Sequence, residues 1–314
     1  PISDFHIPAL KIAGFNITSI ASQINSRRCE ELAIKHDLKS YFVKEGWEYA
    51  LKKKKFSGIV LAVDTKFTPE ILEKILDYEV PVLVEKPVAW HPLQIKKIID
   101  KNPLNNNLVM VAYNRRYYKV TSLVKEFINS QTDGIMSVSI PDSLPSIRQF
   151  LLNGCHMIDL ICYLMPGFKI NFSKSLLNKN GSISSIAAIG EYKDKWQILI
   201  NSKPLAPDNF EIKISSKELV YRLRPIEVLE IYNGMEIVQP TNDMPLRTYL
   251  PKLSKRIIED SRLKPGFISQ YNDFANFCKN GKKSLQFCSL KEAYKSLETC
   301  FDLLGKNQLN YNES

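Results

Sequence analysis

Two short segments carry the residues best placed for chemistry. Glu85-Lys86-Pro87 follows the apolar run Val80 to Val84, and Asn153-Gly154-Cys155-His156-Met157-Ile158-Asp159 holds one of only four histidines among 314 residues. If that apolar run is a parallel strand, Lys86 stands at its carboxyl end, the edge where doubly wound sheets bind ligands. His156 is able to give or take a proton near neutral pH. Each also has a plainer reading taken singly: Lys86 as a surface lysine ahead of a helix, and His156 as a buried ring satisfied by a backbone carbonyl.

The elements that would position these residues alternate. A helix spanning His6 to Phe15 ends at Gly14, and the strand Ile17 to Ala21 follows. The next helix, Ser26 to His36, puts Cys29, Leu32 and Ala33 on one face. Gly58 to Val63 is a short, continuous apolar run of the kind buried on both faces of a parallel sheet. Helix Pro69 to Tyr78, strand Val80 to Val84, helix Pro92 to Lys101 and strand Leu108 to Ala112 continue the rhythm, which predicts a doubly wound sheet.

After Tyr113 the rhythm changes. A helix at Thr121 to Ser130 and a strand lead to a helix at Gln149 to Leu164. Lys169 to Gln239 reads as four or five antiparallel strands with polar turns, and Pro245 to Gly266 as a long basic loop with a short helix. Helices Phe267 to Cys278 and Leu290 to Leu304 close the chain. The predicted fold is α/β: a Rossmann-type doubly wound parallel sheet over residues 1–113, then an α+β domain with a large, open, mostly antiparallel sheet over 114–314.

Composition narrows the function classes. Hydrophobic residues at 44% and charged residues at 24% exclude a disordered chain, and the length suits two cores. The net charge of +10 comes from lysines spread along the chain rather than from a stripe with interleaved aromatics, so no nucleic-acid partner is expected. Six cysteines without a C-x-x-C pair suggest neither a metal site nor a disulfide framework, and point to a reducing cytoplasm. No apolar run is long enough to span a bilayer, so no membrane partner is expected.

Read together, Glu85-Lys86-Pro87, Tyr113-Asn114-Arg115-Arg116-Tyr117, Gly154 to Leu160, and Lys264-Pro265-Gly266-Phe267 with Ser289 to Ala293 resemble the Gfo/Idh/MocA family of dehydrogenases. The resemblance covers nearly all of the chain. It implies hydride transfer between nicotinamide and a carbon of a sugar, sugar nucleotide or cyclitol. The cofactor supplies the redox step, while the protein binds, orients and moves one proton. Lys86 and His156 map to the family's catalytic lysine and histidine. A cation at Lys86 would stabilise an oxygen gaining negative charge. Cofactor contacts map to Ser3, His6, Ser22, Arg27, Arg28, Val63, Glu85, Lys86, Asn114 and Arg115. Lys86, His156, Asp159 and, by position, Tyr117, Arg148 and Gln149 are the expected substrate contacts.

Three departures from the family pattern matter. The aspartate that many members carry four residues before the histidine is Leu152 here. Pro1 to Leu10 is similar to the stretch that follows the second glycine of G-x-G-x-x-G, with Ser3 at the third glycine's place, so the first strand and the glycine loop are expected upstream. Ser22-Gln23 replace the acidic residue that holds the ribose, and Arg27-Arg28 follow. An arginine pair accommodates a 2′-phosphate, so NADP is expected over NAD. The usual Thr-Pro-Asn stretch reads Val63-Asp64-Thr65.

The expected protein is an NADP-preferring oxidoreductase with a small-molecule carbohydrate substrate. The resemblance also implies a homo-oligomer formed through the second-domain sheet. Two other classes stay open: a catalytically idle relative serving as a binding or assembly protein, favoured by Leu152, and a lyase or hydrolase that uses nicotinamide transiently.

Overall fold

A computed structural model describes residues 3–22, 26–41, 46–53, 55–259 and 263–305. The chain forms two compact units. The first comprises Pro1–Ala89, Leu93–Ala112 and Gly266–Lys291, and the second Trp90–Pro92, Tyr113–Pro265 and Glu292–Ser314. The segment 266–291, grouped with the second domain in the sequence reading, clusters with the first unit.

Helices and short strands alternate through the first unit: α1 (Ser3–Ile12), β1 (Ser19–Ala21), α2 (Arg27–His36), β2 (Lys39–Tyr41), α3 (Gly46–Lys53), β3 (Ile59–Leu61), α4 (Thr68–Leu76), β4 (Val82–Val84), α5 (Pro92–Lys101) and β5 (Val109–Val111). All pairings are parallel, in two ladders, β1-β2 and β3-β4-β5, with no hydrogen bonding between the ladders among the described residues. β4 and β5 are buried at every residue, as continuous apolar runs require, whereas β3 at the ladder's edge is buried only at Leu61.

Local chemistry sets the helix limits. α2 starts where the Ser26 hydroxyl accepts from the Cys29 N–H at 3.3 Å, and ends where Asp37 turns left-handed with φ 54°. Its buried face is Cys29, Leu32 and Ala33, the face predicted.

The second unit begins with α6 (Lys119–Ser130) and β6 (Gly134–Ile140), followed by α7 (Ile147–Gln149) and α8 (Cys155–Leu164). The single helix expected from Gln149 to Leu164 is interrupted by a π-type turn at Phe150–Gly154. Gly154 permits that turn, because a Cβ there would lie 2.7 Å from the Phe150 ring.

Strands β7 (Lys169–Leu177), β8 (Ile183–Tyr192), β9 (Trp196–Ser202), β10 (Glu211–Ser216), β11 (Leu219–Leu223), β12 (Val228–Val238) and β13 (Thr248–Ile258) complete an eight-stranded sheet. Its order is β13-β12-β11-β10-β6-β9-β8-β7, antiparallel except for β6 beside β9. β9 shows why one face packs. Trp196, Ile198, Ile200 and Ser202 point inward, and Gln197, Leu199 and Asn201 outward.

Two expectations are corrected here. Six strands, rather than four or five, lie between residues 169 and 238, and the predicted basic loop over 245–266 contains an eleven-residue strand, β13. Pro251 and the charges at Lys252, Lys255 and Arg256 hide its pattern, but an edge strand tolerates a missing N–H and keeps charged side chains in water.

Finally α9 (Phe267–Asn280) belongs to the first unit, and α10 (Leu290–Leu304) ends the described chain. Among the described residues no helix is long and apolar enough to cross a membrane.

Candidate active site

In the first unit Lys86 follows β4, the central strand of its ladder, at the carboxyl end. It is half-buried, its backbone N–H donates to Glu85 Oε2 at 3.2 Å, and the Lys86–Pro87 peptide is cis. Val63 lies beyond the same end of neighbouring β3 and is exposed. Asp64 then organises the turn into α4: its side chain accepts from Lys66 N–H at 2.9 Å, and its carbonyl accepts from the N–H of Phe67 and of Thr68.

Ser22 follows β1 directly, and Arg27 and Arg28 open α2, so the expected adenosine-side residues share one end of the β1-β2 ladder. The two arginines differ. Arg28 Nη2 binds Asp4 Oδ1 at 2.8 Å and Oδ2 at 3.1 Å, and Nη1 lies 3.6 Å from Glu31. Arg27 is exposed and forms no ion pair among the described residues. Gln23 and the side chain of Ser3 lie outside the described residues.

His6, expected among the cofactor contacts, is buried against Tyr271 of α9 and Glu85. Gly58 explains how α9 comes so close to β3. A Cβ there would meet Cys278 Sγ at 2.7 Å and the Phe274 ring at 3.1 Å.

In the second unit His156 sits in the first turn of α8, buried, with the Tyr113 ring edge-on at 5.8 Å. Asn114 and Arg115 lie in a single 3-10 turn, Asn114–Tyr117. Asn114 is buried and donates to the Pro265 carbonyl at 2.9 Å. The Arg115 guanidinium stacks 4.9 Å from the Phe210 ring centre, and burial lowers its pKa against the opposing pull of Tyr118 and Glu227. Tyr117, in the same turn, is half-buried.

Arg148 is exposed and lies 4.8 Å over the Trp90 ring, while Gln149 donates to Asp142 Oδ1 at 3.2 Å and Ser143 Oγ at 3.3 Å. Leu152 falls inside the π-type turn.

Asp159, an expected substrate contact, is held by other side chains of the second unit. It is 1% exposed, and its oxygens take Arg116 Nε at 2.8 Å, Arg116 Nη2 at 2.7 Å and Ser296 Oγ at 3.0 Å. Burial raises its pKa while Arg116 pulls it down. Arg116, whose Nη1 also pairs with Glu292 at 2.8 Å, escaped the sequence reading, as did Tyr271 and Trp90. None of these pairings has a local sequence signal, because the partners are far apart along the chain.

Parallel strands flanked by helices make the first unit Rossmann-like, with Lys86 at the edge where such sheets bind ligands. Residues 2–113 match the model of the Gfo/Idh/MocA family, described as an oxidoreductase family with an NAD-binding Rossmann fold.

Solved structures share the fold over nearly the whole chain. A dehydrogenase (MviM) from Clostridium difficile is 20% identical with a TM-score of 0.72, over 96% of this chain and 95% of that one. The WlbA dehydrogenase from Bordetella pertussis, in complex with NADH and UDP-GlcNAcA, is 15% identical with a TM-score of 0.73, over 98% and 93%. UDP-N-acetylglucosamine 3-dehydrogenase GnnA from Acidithiobacillus ferrooxidans is 12% identical with a TM-score of 0.73, over 96% and 93%. A comparison with curated proteins finds no match.

Proposed function

We propose that the protein is an NADP-preferring oxidoreductase that passes hydride between nicotinamide and a carbinol carbon of a sugar, with sugar nucleotides favoured over free sugars and cyclitols. The observation that carries this reading is Lys86 at the carboxyl end of the central strand of a ladder whose segment matches the model of an NAD-binding oxidoreductase family. Two relatives of the same fold support the sugar-nucleotide class, one solved with UDP-GlcNAcA and one described as a UDP-N-acetylglucosamine 3-dehydrogenase.

The residues fit a dinucleotide at its adenosine end. Arg27 offers an exposed cation at the N-terminus of α2, where an anion is also favoured by the helix dipole. Arg28 is neutralised by Asp4, so the preference for a 2′-phosphate rests on Arg27 and is small. Ser3, Ser22, Val63, Asn114 and Arg115 are the remaining proposed cofactor contacts. When bound, the nicotinamide accepts or delivers the hydride. Lys86 stabilises the substrate oxygen as charge develops on it, and His156 takes or returns its proton. Tyr117, Arg148 and Gln149 orient the sugar.

A homo-oligomer is part of the proposal. Phe172, Ile189 and Leu199 pair across β7, β8 and β9 on the outer sheet face, at 58%, 50% and 38% exposure, an apolar row suited to a second copy.

A second reading, an idle relative acting in binding or assembly, is favoured by Leu152, which puts an apolar side chain where many relatives carry a carboxylate. One experiment separates them. The protein is incubated with NADP or NAD and a panel of UDP-sugars and free sugars, and reduced nicotinamide is followed by absorbance. Formation that is lost in Lys86→Ala and His156→Ala supports the enzyme; cofactor binding without turnover of any substrate supports the idle relative.

A further inference from the structure

His6 stands between two groups that the proposed chemistry does not use. His6 is 4% exposed, Nδ1 lies 2.5 Å from the Tyr271 hydroxyl, and Nε2 lies 3.0 Å from Glu85 Oε1 without forming a hydrogen bond. Phe267 packs on the ring at 5.5 Å between centroids. The other Glu85 oxygen, Oε2, accepts the backbone N–H of Lys86 at 3.2 Å. One continuous chain of contacts therefore runs from α9 through α1 to the backbone of the proposed catalytic lysine, all within the first unit.

The protonation pattern follows from burial. Tyr271 is fully enclosed, and burial, reinforced by the Glu85 charge, holds its phenol protonated well above the usual range. A protonated phenol can donate to Nδ1, an arrangement that leaves the ring hydrogen on Nε2, the nitrogen beside Glu85 Oε1. Glu85 thus has a neighbour at each oxygen, the imidazole ring at Oε1 and the Lys86 peptide N–H at Oε2.

We propose that His6 is a positioning residue: through Glu85 it fixes the backbone at Lys86, and it does not contact the cofactor. The proposal rests on the reading of Lys86 as the group beside the reacting oxygen. It makes Tyr271, near the other end of the sequence, part of the same device, because without its hydrogen bond the imidazole is free to turn from Glu85.

The test is peptide-resolved acetylation of the intact protein with a limiting acylating reagent, which reports the relative reactivity of Lys86 and every other lysine, alongside NADH titration. Tyr271→Phe and His6→Leu are expected to change Lys86 reactivity by about threefold or more while Lys96 and Lys97 stay as in the wild type, and Tyr271→Phe leaves NADH affinity unchanged. His6→Gln, whose amide nitrogen reaches the Nε2 position and can donate to Glu85, is expected to restore Lys86 toward wild-type reactivity. Unchanged Lys86 in Tyr271→Phe, or a uniform change at all lysines, overturns the proposal. So does a fall in NADH affinity of about tenfold with Lys86 unmoved. If the wild type binds no dinucleotide, the oxidoreductase reading fails by itself, and the lysine comparison still decides what His6 does.

Discussion

Arg116 grips Asp159 through two parallel contacts, Nε to Oδ2 at 2.8 Å and Nη2 to Oδ1 at 2.7 Å, with the arginine 1% exposed and the aspartate likewise. This pair ties the turn after Tyr113 to α8, the helix that carries His156. Removing Asp159 leaves the buried Arg116 guanidinium with only Glu292 as a counter-charge, so Asp159→Leu is expected to destabilise the protein by about 3 kcal/mol. The double substitution Arg116→Met with Asp159→Leu is expected to recover much of that loss. Urea unfolding of the three proteins checks both, and a double variant no more stable than the single one would contradict the account.

Asp4 sets how much of the α2 charge reaches a ligand. Its carboxylate holds Arg28 at 2.8 Å in an exposed ion pair, and it is itself an anion near the place proposed for a 2′-phosphate. Asp4→Asn is expected to raise NADPH affinity relative to NADH by about two- to fivefold, and Arg27→Ala to lower the same ratio. Fluorescence titration of the two cofactors into each variant measures this directly. An unchanged ratio in both would remove α2 from cofactor selection.

Two part-buried thiols make stability fall in alkali. Burial pushes Cys162 up to about 12, with Asp159 adding to the effect, and burial pushes Cys278 up to about 12, from an ordinary thiol value near 9. The native state therefore keeps protons that the unfolded chain releases above pH 9. The contribution is whole below that pH and is lost as pH rises toward 12, at no more than about 1.4 kcal/mol per pH unit for each thiol. Urea unfolding as a function of pH, with Cys162→Ala and Cys278→Ala, is expected to show a flatter alkaline slope in each variant.

The outer sheet face predicts an assembly. Leu199→Lys places a charge at the end of the apolar row, beside its cross-strand neighbour Ile189, and is expected to give a monomer of 36.0 kDa where the wild type is larger. Light scattering after size exclusion reads the mass, and circular dichroism confirms that the sheet persists. A wild type that is already monomeric would leave the face without its partner.

The sequence made the first unit legible because parallel strands buried on both faces need unbroken apolar runs, as at Val82–Val84, and because Ser26 and Cys29 mark a helix start that local chemistry fixes. Lys86 was legible from the same strand. β13 was not, because an edge strand with Pro251 and three basic residues has no apolar alternation to read. The π-type turn at Phe150–Gly154 was hidden, since its cause is a close contact between Gly154 and the Phe150 ring. Arg116 and Asp159 stand 43 residues apart, and His6 and Tyr271 are separated by 265. Pairs of that kind belong to tertiary structure and leave no spacing to detect.

Equilibrium titration of NADPH and NADH into the protein, followed by nicotinamide fluorescence, tests the central claim most directly. The account predicts saturable binding of both, with NADPH modestly tighter and its advantage lost in Arg27→Ala. Absence of saturable binding by either cofactor would contradict it and leave the idle relative as the better description.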